Sequence, residues 1–310
     1  MHDKLSNRIL AVVAISGSLL LFAGTYLHPM DADPNVPLAA FAEYAANRHW
    51  VASHLMQLFG VTLMVGALVL LGRLLAVGPA QAVATVGTAG AIASLAVAAA
   101  LQAVDGVALK AMSDTWAAAS EGGKAGLFHA ALAVRQIEIG LASMTSLLFG
   151  LTTSLFGTAM LIDRRFPRWL GGLAIAGGVP TAIAGVVIAH AGFSELAMAI
   201  SIPSGSLLLL TMIGLAAHAW RTPSRSSVFS VVALLVVCRR RGLRAGKSGT
   251  VVESIDDRHV LVEFSGNQGP RLCGSPLRAR TCWRCITQCR RLIPTRREAD
   301  SSGVCESRAT

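Results

Sequence analysis

The chain has no cysteine before Cys238; all six (Cys238, Cys273, Cys282, Cys285, Cys289, Cys305) lie in its last quarter. A disulfide framework is therefore excluded from the first two-thirds. Charge is scarce as well, at 14% of the 310 residues, where soluble domains carry about 25%. Aromatic residues make up only 5%, with two tyrosines. Glycine-rich phosphate loops, HExxH, GxSxG and acidic metal-binding pairs within an apolar run are all missing. Those absences leave the commonest nucleotide, zinc-protease and serine-hydrolase chemistries without their residues.

What the chain has instead is apolar length. Hydrophobic residues reach 53% and mean hydropathy is +0.58. They come as six blocks, Ile9–Leu27, Val51–Leu75, Ala82–Val104, Ile137–Ile162, Trp169–Ala191 and Leu196–Trp220. Each meets the roughly 20 residues that a ~30 Å hydrocarbon core requires. Lipid offers no partner to an unpaired backbone group, so the blocks predict helices. The fold class is an all-α membrane protein with six transmembrane helices over residues 1–225. Lys4 and Arg8 before the first block imitate a secretory signal, but no small-x-small cleavage site follows near Leu27, and a retained helix is expected.

Loop charge sets the orientation. One set of connections and ends carries Lys4, Arg8, Arg73, Arg164, Arg165, Arg168, Arg221 and Arg225, and the opposite set Arg48, Lys110, Lys124 and Arg135. The bias places the N- and C-termini in the cytoplasm of a bacterial inner membrane. The connections Leu27–Trp50 and Asp105–Gln136 are then extracytoplasmic, the second with a break expected at Gly122–Gly123.

That topology gathers polar residues at the outer end: His54, Gln57, Gln102, Asp105, Arg135, Glu138 and His190. Gly90, Ser94, Ala98 and Gln102 recur every four residues, and small residues at this spacing admit a neighbouring helix. Asp105, one turn on, is expected to face that neighbour. Buried charges need partners, and the expected pairs are Asp105 with Arg135 and Glu138 with His54, bridged by the glutamines. The leading reading is a non-enzymatic protein whose outer polar cluster is structural or binds a small ligand. Its partners are the bilayer and, in a homo-oligomer, copies of itself. No cofactor, metal or nucleic acid is expected. A second reading is a small transporter or channel subunit using Asp105, Arg135 and Glu138, with Pro180 and Pro203 breaking helices. A third is a redox protein holding b-type haem between His54 and His190.

The features Leu27-His28-Pro29, His54 with Gln57, and Gln102-Ala103-Val104-Asp105-Gly106 carry a resemblance. Over residues 10–220 the chain resembles an uncharacterised bacterial family of multi-pass membrane proteins, which implies no activity.

Beyond Arg225 the composition changes. Up to that residue Lys and Arg number 12 against 10 Asp and Glu; from Ser226 the balance is 15 against 7. The apolar stretch Val228–Val237 is too short to span. Gly249–Ile255 and Val260–Phe264 around Asp256-Asp257-Arg258-His259 predict a hairpin, and Gly266–Gly269 a second turn. Through VVALL, RGLRAG, GTVVE and HVLVEF, residues 230–269 resemble a small uncharacterised bacterial family of soluble β modules, so residues 226–269 read as a partial β module. The resemblance implies a third strand beginning Gly-Arg-(Thr/Ala)-Tyr-Ala, whereas this chain continues Pro270-Arg271-Leu272-Cys273. One permitted codon string for Pro270–Pro276, read one base later, spells Arg-Ala-Tyr-Ala-Val-Ala. The expectation is a one-base slip that leaves residues 270–310 out of frame, as a disordered, basic, Cys-rich tail. Contact with anionic lipid suits its charge. Zinc is the competing reading of Cys282 and Cys285, but only one pair has regular spacing.

Overall fold

The computed structural model describes residues 2–29, 31–76 and 78–221, and further on 231–234, 248–254, 259–266, 269–272, 277–278 and 282–284. The chain divides into two compact units, His2–Thr222 and Pro223–Thr310.

The first unit is helical: α1 (His2–Leu27), α2 (Pro37–Ala46), α3 (Trp50–Leu75), α4 (Gln81–Ala103), a π-helical turn (Val104–Leu109), α5 (Lys110–Ala117), α6 (Glu121–Ile162), α7 (Arg168–Ala191) and α8 (Glu195–Arg221). Six of its helical stretches are long and apolar enough to cross a membrane. They pack as a ring in the order α1, α3, α4, α6, α7, α8, with α8 returning to α1. Large apolar side chains such as Leu19, Phe22, Phe59, Ile92, Ile137 and Leu196 point outward, a surface that suits lipid rather than water. Leu68, Leu71, Phe156, Met160, Leu170 and Met212 fill the interior.

Small residues set the helix spacing. A Cβ on Gly17 or Gly60 would lie 2.8 Å or less from backbone of the facing helix, so α1 and α3 touch main chain to main chain. Van der Waals packing of this kind replaces the hydrophobic drive that lipid removes. The Gly90–Gln102 stripe is used as expected for most of its length: Ser94 and Ala98 are buried, and Gly90 backs onto Thr152 of α6.

Both predicted halves of the long connection are helical, but the break lies elsewhere. Ser120, in extended conformation (ψ 157°), starts α6, and Gly122 and Gly123 fall in its first turn. Glycines are tolerated there because the first amides of a helix lack intrahelical partners anyway. At 1.5 Å per residue the 42 residues of α6 run about 63 Å, roughly twice a hydrocarbon core. The excess stands beside α5 and α2 and makes one end of the ring a cap. Pro37 opens α2 with its φ already helical. The Glu43 carboxylate accepts the amides of Asp31 and Ala32 at 3.0 and 3.1 Å. Lys110 donates to the carbonyl of Ala45 (3.1 Å), joining α2 to α5. Beneath lies an aromatic core of Phe41, Tyr44, Trp50 and Trp116. At the opposite end Arg165 clamps Asp163 and donates to the carbonyl of Leu74 (2.7 Å). The Asp163 hydrogen bond holds the guanidinium above its ordinary pKa.

The second unit holds a small antiparallel sheet. Strands β1 (Val231–Leu234), β2 (Ser248–Ser254), β3 (His259–Gly266), β4 (Gly269–Leu272), β5 (Leu277–Arg278) and β6 (Cys282–Arg284) run in the order β4-β3-β2-β1-β6, with β5 also on β3. The β2–β3 hairpin pairs Thr250 with Glu263, and Gly266 opposite Gly269 makes the second turn. Within the stretch expected to be disordered from residue 270, strand pairing is described at 270–272, 277–278 and 282–284. Main-chain pairing to the edges of β3 and β1 requires no apolar periodicity, which is why the sequence concealed it. Residues 285–310 and every tail cysteine but Cys282 lie outside the described residues.

Candidate functional site

The first turns of α3 place Trp50, Ser53 and His54 at the capped end, all buried. His54 Nδ1 donates to the carbonyl of Trp50 four residues back (2.7 Å), which fixes the ring and turns Nε2 across to α4. There the helix widens into the π-helical turn, a distortion that re-aims side chains. Nε2 of His54 meets Oδ2 of Asp105 at 3.0 Å. The carbonyl of Asp105 accepts the Trp50 indole N–H at 3.0 Å, so α3 holds Asp105 at both its side chain and its backbone. Gly106 makes the approach feasible: a Cβ there would sit 2.6 Å from Cβ of His54. Oδ1 of Asp105 is buried without a hydrogen-bond partner among the described residues.

His28 joins from the end of α1. Its Nδ1 donates to the carbonyl of Pro29 at 2.8 Å, and its ring lies 4.8 Å from Trp50 and 5.0 Å from His54. Burial, reinforced by His54, holds the His28 imidazole below its ordinary pKa against the pull of Asp105. One ligand atom from each of His28, His54 and Asp105 falls within a 4.8 Å group.

A second pair lies on α6. Arg135 Nη1 donates to Glu138 Oε2 at 2.7 Å, and both side chains are buried. The guanidinium lies over Tyr44 (5.8 Å) and Phe193 (5.1 Å) and reaches the carbonyl of Pro34 at 3.4 Å. Arg135 thereby ties α2, its preceding loop and the α7–α8 connection to α6. Burial pushes the Tyr44 phenol up to about 12, against the opposing Arg135 charge. Deeper in the ring Gln102 donates to Gln57 at 3.2 Å, while Oε1 of Gln102 is buried and unpartnered among the described residues.

The expected partners are therefore exchanged: Asp105 pairs with His54 rather than Arg135, and Glu138 with Arg135 rather than His54. An i,i+3 pair on one helix forms without any interhelical fit, which leaves the cross-helix contact to the other two. His54 meets Asp105, Gln57 meets Gln102, and Arg135 meets Glu138. His190 joins none of these pairs; it is exposed at the last turn of α7, and both ring nitrogens of His54 are already engaged, so the haem pair His54–His190 is not assembled. His28, Trp50, Tyr44 and Phe193 were absent from the predicted cluster. The one available signal was Leu27-His28-Pro29 directly after an apolar block, where a proline-terminated helix end returns a histidine toward the bundle.

No protein-family model, curated protein or solved structure matches this chain.

Proposed function

We propose that the chain is a non-enzymatic multi-pass protein of the bacterial inner membrane whose capped end faces outward and binds a small ligand. The observation that carries this reading is the unpartnered Oδ1 of Asp105, buried at the one end where the ring gathers His54, Asp105, Arg135 and Glu138. A buried carboxylate oxygen without a donor costs free energy, and a ligand supplies what the fold withholds. The Arg135–Glu138 pair serves structure, anchoring the cap. Orientation is supported by the eight-to-four excess of basic residues on the other set of connections.

A transporter built on discontinuous helices is less well supported. Such proteins break their helices at the binding site, whereas α7 and α8 run unbroken through Pro180 and Pro203. The test is accessibility, in a background where serine replaces the six cysteines. With cytoplasmic termini, Ser120→Cys reacts with a membrane-impermeant maleimide on intact spheroplasts, and Arg164→Cys reacts only after permeabilisation. The reverse pattern refutes the orientation.

A further inference from the structure

Three acceptor groups converge at the capped end. A carbonyl only accepts, so the contacts His54 Nδ1 to Trp50 O (2.7 Å) and His28 Nδ1 to Pro29 O (2.8 Å) put a hydrogen on both Nδ1 atoms. In each neutral imidazole the lone pair is then on Nε2. The Asp105 carboxylate accepts only. Nε2 of His54 and Oδ2 of Asp105 stand 3.0 Å apart, a contact that requires a positive occupant, either a proton or a metal ion. A proton on Nε2 satisfies that pair but leaves the buried Oδ1 of Asp105 unserved.

We propose that His28, His54 and Asp105 form a binding site for one divalent transition-metal ion, ligated by the two Nε2 atoms and the carboxylate. The inference rests on the reading that this end binds a small ligand, and it names that ligand. Ligands about 2.1 Å from a metal and 90–109° apart stand roughly 3.0–3.4 Å from each other. The His54–Asp105 edge already has that spacing. One ligand atom from each of the three residues falls within a 4.8 Å group, so binding draws the third ligand in by about 1 Å or more. The surroundings are those metal-binding histidines require: each ring donates its other N–H to a backbone carbonyl, which fixes tautomer and direction. Trp50 holds the Asp105 backbone and packs against both rings, 4.6 Å from His54 and 4.8 Å from His28. Two imidazoles and one carboxylate select zinc, iron, cobalt or nickel over calcium and magnesium, which take oxygen ligands throughout. Three protein ligands leave at least one coordination position open.

The experiment uses full-length, tag-free protein in mild detergent with its six cysteines alkylated, so that thiols cannot contribute, titrated with Co²⁺. The expected result is one equivalent bound per chain, with visible absorption bands displaced by Zn²⁺. His54→Gln and Asp105→Asn lose the bands, His28→Gln binds at least roughly tenfold more weakly, and His190→Gln binds as wild type. Circular dichroism and gel filtration check folding. If His54→Gln fails to fold, the half-buried His28 and the near-isosteric Asp105→Asn decide. Absence of stoichiometric Co²⁺ in wild type, or full binding by Asp105→Asn, overturns the proposal. A thermal-shift panel of small anions and amines separates the two levels. A compound that stabilises wild type but not Asp105→Asn, with no metal bound, refutes the metal and retains the ligand site. No response to any compound or metal refutes both.

Discussion

Substituting Gly106 by alanine tests the close approach on which the site depends. The added methyl would lie 2.6 Å from Cβ and 3.0 Å from Cγ of His54, whereas carbon atoms in contact stand about 3.5–4.0 Å apart. Relief requires His54 or the π-helical turn to move by about 1 Å. Overpacking of this size costs about 1–3 kcal/mol. The same movement opens the 3.0 Å His54–Asp105 contact, and a hydrogen bond to a charged group contributes about 1.5–3 kcal/mol. Allowing for partial relaxation, the expected loss is about 2–5 kcal/mol. Gly140→Ala is the control, because nothing lies within 4 Å of a Cβ there. Alanine's helical advantage over glycine, about 0.5–1 kcal/mol, applies to both variants and cancels in their difference. At roughly 2–4 °C per kcal/mol for a unit of this size, Gly106→Ala should melt about 5–15 °C below Gly140→Ala in detergent. Equal melting temperatures refute the described packing of the π-helical turn on α3.

Three further outcomes follow from the same geometry. Arg135→Met leaves Glu138 buried and unpaired, a change that costs about 3–5 kcal/mol; adding Glu138→Met should recover most of the lost thermal stability. Asp114→Ala should shift melting little, since its carboxylate is half-exposed beside Lys110 and exposed pairs contribute about 0–1 kcal/mol. Tyr44 has its pKa raised from 10.0 to about 12, so its contribution is complete below pH ~10 and is lost as pH rises through ~12. At 1.36 kcal/mol per unit this amounts to about 2–3 kcal/mol, visible as a steeper alkaline fall in stability for wild type than for Tyr44→Phe.

The spans were legible because apolar blocks of bilayer length admit few alternatives. The end at which polar residues gather followed from alternating connections, since His54, Asp105 and Arg135 sit near span ends that must coincide. Side-chain partners were not legible. Pairing across helices depends on rotation about each axis, and the π-helical turn at Val104–Leu109 changes that rotation for Asp105 with no marker in the sequence beyond Gly106. The cap was hidden for a different reason. Helix α2 and the start of α6 lie outside the apolar blocks, and they are held by the Glu43, Lys110 and Arg135 contacts together with the aromatic core around Phe41 and Tyr44. His28 was passed over because a histidine beside a proline at the end of an apolar block reads as a loop residue until the loop is folded back.

A double-mutant cycle on His54→Gln and Asp105→Asn, read by thermal and denaturant unfolding in detergent, tests the central claim most directly. The account predicts coupling of about 0.5–3 kcal/mol, as for groups in contact, and additivity within about 0.5 kcal/mol for His190→Gln with Asp105→Asn. Additive His54 and Asp105 substitutions would mean that the two side chains do not meet and that the site is not built as described.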